Sequence, residues 1–120
     1  ACVVSNYLVT LIDLGARLLE ATGISANLSS QALMPLVRGT LSNIEKVGIP
    51  AALTGPIARG DIATVAKHLE CMQDMAPDMV HLYKTLGFYT VPIAHAKGNI
   101  TEDKIREFQG LLNPETKIGK

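Results

Sequence analysis

Apart from the small Ser5, the polar positions of the first twenty residues are Asn6, Thr10, Asp13, Arg17 and Glu20, at steps of 4, 3, 4 and 3. That spacing confines them to one narrow stripe of a helix over about 1–22, ended by Gly23. The rest of the circumference, roughly three quarters of it, is apolar or small. A surface helix of a small monomer needs one apolar face, so this pattern predicts neighbours on most sides. The implied partner is another subunit, a further domain, or both. Asp13 and Arg17 stand at i,i+4 and are placed to pair.

A second helix is predicted from Ser30 to Val47, with Ser29 or Ser30 as its N-cap and Gly48 as its end. Leu33, Leu36, Val37, Leu41, Ile44 and Val47 form its apolar face. Pro35 either kinks it or opens its main part at the first helical position. Asn43 falls beside the apolar stripe and needs a polar partner there. Residues 49–60, IPAALTGPIARG, hold two prolines and two glycines and read as an irregular break. A third helix over 61–75 turns Ile62, Val65, Ala66, Leu69 and Met72 to a core, and Thr64, His68, Cys71 and Met75 to a second face. A fourth starts with Pro77 and runs to about Ala96, bent at Gly87 and Pro92. A fifth, over 101–112, has Thr101 as N-cap and Glu102 and Asp103 in its first turn, with Glu102 and Arg106 placed to pair. The expectation is an all-α domain of about five helices over 1–112, followed by a loose tail at 113–120.

Composition narrows the class. In 120 residues, 11 basic side chains balance 11 acidic ones and tryptophan is absent, which disfavours a nucleic-acid surface. Hydrophobic residues make up 48% of the chain, too many for a disordered one. The two cysteines, Cys2 and Cys71, make no disulfide scaffold and read as buried or half-buried thiols. Asn6, Asp13 and Arg17 interrupt the apolar opening, and no basic leader precedes it, so neither a membrane span nor a signal peptide is expected and the compartment reads as cytoplasmic. The helical pattern begins without a capping residue, which predicts further chain upstream.

The most informative stretch is Thr54-Gly55-Pro56-Ile57-Ala58-Arg59-Gly60-Asp61. A Gly-rich loop entering a helix exposes backbone N–H groups and the positive end of a helix dipole, and Arg59 adds a charge suited to a carboxylate or phosphate. The Lys-Ser/Thr pair of a nucleotide-binding P-loop is missing, since Asp61 and Ile62 stand in its place. The plainer alternative is a tight helix connection in which Asp61 caps the next helix. His68, His81 and His95 lack zinc-ligand spacing, so no metal site is expected. His68 reads as an interface residue, and the other two as surface or capping residues.

The run Ala52-Leu53-Thr54-Gly55-Pro56, then Arg59-Gly60-Asp61 and His68-Leu69, resembles the helical C-terminal domain of a bacterial family of Rossmann-like oxidoreductases of unknown substrate. Ser5-Asn6-Tyr7-Leu8, Pro35-Leu36, Asn43 and Leu82-Tyr83 match in order, and the likeness covers about 1–112. The wider group is similar to 6-phosphogluconate dehydrogenase, ketopantoate reductase and pyrroline-5-carboxylate reductase. The resemblance implies a homodimer and an N-terminal dinucleotide-binding domain that holds NAD or NADP. That domain is not in this chain, which has no G-x-G-x-x-G after a strand. It also implies that Thr54, Gly55, Arg59 and Gly60 face the cofactor cleft, with Asn6 and Asn43 as further hydrogen-bonding candidates toward a small carbonyl, imine or hydroxy substrate. Asp61 and His68 are left structural or capping roles. The competing reading is a non-catalytic helical dimerisation or interaction module whose 54–61 loop is purely structural.

Overall fold

The structure, a computed structural model, describes residues 1–115. Among them it is all-α: α1 (Cys2–Glu20), α2 (Ala26–Val47), the single turns α3 (Ile49–Ala52) and α4 (Pro56–Arg59), α5 (Ile62–Met75), a 3₁₀ turn (Pro77–Met79), α6 (Val80–Lys97) and α7 (Glu102–Leu112). Five of these are long helices, as the periodicity predicts. The chain divides into two compact units, Ala1–Lys46 and the part that begins at Val47. Of the predicted tail, residues 116–120 lie outside the described residues.

The first unit is α1 and α2. The start of α2 differs from the sequence expectation. Ser25, rather than Ser29 or Ser30, precedes the first turn, and its Oγ accepts the Leu28 N–H at 3.3 Å. The helix therefore begins at Ala26 and Pro35 lies well inside it. Pro35 has no N–H, so the Gln31 carbonyl loses its helical donor. Pro35 lies on the exposed side, where water can serve that carbonyl. Ser29 falls one turn into α2, fully buried, and its hydroxyl has no hydrogen-bond partner. An orphaned hydroxyl is a cost that packing must offset. At Gly15 the two helices come close enough for a Cβ to sit 3.1 Å from Leu33 Cδ1.

The second unit has a conventional core. Val65, Leu69 and Met72 of α5, Val80, Val91 and Ala94 of α6, and Ile105, Phe108 and Leu112 of α7 are buried together with Met79. On α7 the buried positions recur at 3 and 4 residues, the period of a helix packed on one side. The Gly87 backbone meets Leu112 directly, since a Cβ there would stand 3.1 Å from both δ-carbons. α6 continues through Gly87 and Pro92 as one helix. Residues 49–60 are more regular than expected: Pro56 opens one single helical turn and Pro50 is the second residue of another, early positions where a helix needs no N–H from it. Asp61 and Thr101 cap α5 and α7 as predicted.

Three smaller expectations are corrected. Arg106 pairs with Asp103 at 2.6 Å, and Glu102 with His95 at 3.1 Å, in place of a Glu102–Arg106 pair. Cys2 and Cys71 are both exposed, because Cys2 opens α1 and Cys71 lies on the outer side of α5. Asn43 is exposed and so does not need a buried partner.

Phe108 is fully buried at the centre of the second unit. Phe108→Ala is expected to destabilise that unit by about 3–5 kcal/mol in urea denaturation, the usual cost of emptying an aromatic core site.

Candidate functional site

The 54–61 loop is built around two glycines in conformations that L side chains rarely adopt. Gly55 (φ 94°) precedes the α4 turn and Gly60 (φ 72°) ends it. Between them the backbone binds itself. The Arg59 N–H donates to the Gly55 carbonyl at 3.2 Å, Gly60 to Ile57 at 3.2 Å and Asp61 to Pro56 at 2.8 Å. From outside the loop, the Lys97 ammonium donates to the Leu53 carbonyl and fastens the end of α6 to the residue before Thr54.

Asp61 closes the N-terminus of α5. Its Oδ1 accepts the Thr64 N–H at 3.1 Å and its Oδ2 the Thr64 hydroxyl at 2.6 Å. These bonds, the hydroxyl first, hold the carboxyl below its ordinary pKa, with a smaller contribution from Arg59. The helix end that the sequence offers to an anion is thus occupied by the chain's own carboxylate. Gly60 is buried, with Lys104 Cγ and Ile100 Cγ1 within 4 Å of where its Cβ would be. Thr54 is exposed and Gly55 half-buried. Arg59 projects outward with 62% of its side chain exposed, and its Nη2 stands a loose 3.7 Å from Asp61 Oδ2.

His68 extends this feature along α5. Asp61, Thr64 and His68 recur at 3 and 4 residues and so share a face. His68 is not isolated. Its Nδ1 lies 3.1 Å from the Tyr83 hydroxyl on α6, and the two rings meet edge to face with centroids 6.2 Å apart. Tyr83 is half-buried, and that burial pushes its phenol above the ordinary tyrosine value, so it remains a donor across the physiological range. The contact accommodates either direction, the phenol donating to a bare Nδ1 or Nδ1–H donating to the phenol oxygen. The next residue, Lys84, is buried, and desolvation lowers its pKa. The sequence signals the Asp61–Thr64–His68 stripe by spacing. It does not signal the Tyr83 and Lys97 contacts, which depend on how α6 packs.

Asn6 and Asn43 belong to the first unit, on α1 and α2, and both are exposed. Between those helices runs an apolar groove of about 330 Å³, walled by residues such as Leu8, Leu11 and Ile12 on one side and Leu36, Leu41 and Ile44 on the other. Among the described residues no cluster of three or more histidines, cysteines, aspartates or glutamates is arranged to hold a metal ion.

The chain belongs to the family described as a domain of unknown function, DUF2520, whose model matches residues 1–90. That span covers α1 to α5 and the 54–61 loop, and it extends into α6 past Tyr83. No curated protein and no solved structure matches the chain.

The Asp61 geometry makes a pH prediction. A carboxyl whose pKa is depressed in the folded state adds stability above its unfolded pKa and loses it as pH falls through the folded value. Acid denaturation is therefore expected to gain a contribution from Asp61 that begins below about pH 4, near the unperturbed aspartate value. Asp61→Ala lowers stability at pH 7 and narrows the difference between pH 7 and pH 3, as measured by urea titration at both pH values.

Proposed function

We propose that this chain is the dimerisation and substrate-positioning domain of a cytoplasmic NAD(P)-dependent oxidoreductase. The observation that carries the dimer is the unsatisfied apolar surface of the first unit. Val4 is 73% exposed, Val9 68%, Tyr7 66% and Leu36 65%, and the α1–α2 groove lies open among such residues. A continuous apolar surface of this kind marks an interaction site in a folded protein. α1 is also long and apolar enough to cross a membrane by length and composition. Its stripe of Asn6, Thr10, Asp13, Arg17 and Glu20, and a groove whose second wall is α2, favour a protein partner over lipid.

The oxidoreductase reading is supported by the TGPIARGD motif and its ordered companions, which fall within the DUF2520 match. In this reading an N-terminal dinucleotide-binding domain holds NAD or NADP, and the nicotinamide supplies the hydride chemistry. The residues of this chain orient the substrate. Of the loop residues, Arg59 is best exposed for that task. A second reading, a helical interaction module without catalytic function, is favoured by the self-bonded loop amides and the burial of Gly60.

Sedimentation velocity tests the part that both readings share. The chain is expected to sediment as a dimer at micromolar concentration, and the double variant Leu36→Glu/Leu41→Glu as a helical monomer. A wild-type monomer at high concentration contradicts the assignment. Arg59→Ala in the complete protein separates the readings. A rise in substrate KM of roughly tenfold with the cofactor KM unchanged is the expected result, and unchanged kinetics favours the module.

A further inference from the structure

One short segment, residues 97–104, grips the 54–61 loop at both of its ends. At the entry, Leu53 leaves α3 in an extended conformation and its carbonyl accepts from the Lys97 ammonium, 44 residues further along the chain. At the exit, Gly60 is buried beneath Ile100 and Lys104: a Cβ there would stand 3.8 Å from Ile100 Cγ1 and 3.7 Å from Lys104 Cγ. Lys97 is the last residue of α6, and Gly98 (φ 93°) turns the chain away from it. Ile100 lies in the connection that follows and Lys104 in the first turn of α7.

We propose that residues 97–104 form a clamp that places the 54–61 loop on the second unit, with Lys97 as its positioning residue. The bonds donated by the Arg59, Gly60 and Asp61 amides close the α4 turn on itself. They fix the local shape of the turn and do not tie it to α6 or α7. Ala58 anchors the inner side of the turn with a single methyl group. The directional hold therefore comes from the two grips. A bond from an ammonium is roughly twice as strong as one between neutral groups, and Lys97 and Leu53 are both half-buried, so water competes less for it. Arg59 is the exposed cation that the placed loop presents, and Lys97 acts on it through the loop backbone. The inference rests on the substrate-positioning reading for what the loop carries, and deepens it by naming the residues that hold the loop in place.

Amide hydrogen exchange on the chain itself tests the clamp without a substrate. Lys97→Met keeps the aliphatic stem and removes the donor. It is expected to speed exchange at the Arg59, Gly60 and Asp61 amides roughly tenfold or more, while Phe108 and Leu112 of α7 keep their wild-type rates. Lys104→Ala uncovers Gly60 at the second grip and is expected to speed the same three amides by a smaller factor. Lys97→Arg retains a cationic donor and is expected to recover part of the protection. Loop amides that keep wild-type rates in Lys97→Met or in Lys104→Ala overturn the proposal. So does an equal rise at Phe108 and Leu112, or a Lys97→Arg variant no better protected than Lys97→Met. The substrate-positioning reading fails separately. Fast loop exchange in Lys97→Met, with unchanged kinetics for Arg59→Ala in the complete protein, leaves the clamp standing and removes that reading. Unchanged loop exchange, with a raised substrate KM for Arg59→Ala, does the reverse.

Discussion

Helix α1 carries more apolar surface than one neighbouring helix can cover, and the account of the first unit depends on that imbalance. Within its unit α1 meets α2, closely enough at Gly15 for Leu33 to block a side chain there. Away from that contact Val3, Val4, Tyr7, Val9 and Leu11 remain exposed, as do Leu36, Leu41 and Ile44 on α2. Burial of apolar area is the main source of folding and association free energy, at roughly 25 cal/mol per Å². Exposed apolar side chains on both walls of a groove are therefore a strong driving force left unused. In the proposed dimer a second copy of the chain puts that force to use, which accounts for how few residues of the first unit are buried.

The second unit is organised differently. Its core of Val65, Leu69, Val91, Phe108 and Leu112 is closed, and its polar groups are used to fix loops. Lys97 holds the Leu53 carbonyl, Asp61 caps α5, and the Arg59, Gly60 and Asp61 amides bond back onto the α4 turn and Gly55. The consequence for function is specific. In the 54–61 loop the amides of Arg59, Gly60 and Asp61 are bonded within the loop, and Arg59 is its exposed cationic side chain. Arg59 ends the α4 turn, and His68 on α5 is held by Tyr83 of α6.

Much of this was legible in the sequence for a physical reason: helical periodicity depends on neighbours three and four residues away. The α1 stripe, the buried face of α5, and the Asp61 and Thr101 caps all follow from local spacing. The start of α2 did not, because Ser25 and Ser29 are equally plausible caps by residue type and tertiary packing chose the earlier one. The 49–60 break hid two helical turns, since Pro and Gly that forbid long helices are well suited to single ones. The His68–Tyr83 pair joins residues fifteen apart on different helices, and Lys97 reaches back forty-four residues to Leu53. No local pattern carries such contacts.

The central claim is that a second copy completes the α1–α2 surface. Amide hydrogen exchange measured over a range of protein concentrations tests it most directly, because dimerisation links local protection to concentration. The account predicts that protection across Leu8–Ile12 and Leu36–Ile44 rises with concentration while protection across α5 to α7 stays constant. Protection in α1 and α2 that is independent of concentration, in a chain that remains folded, would contradict it.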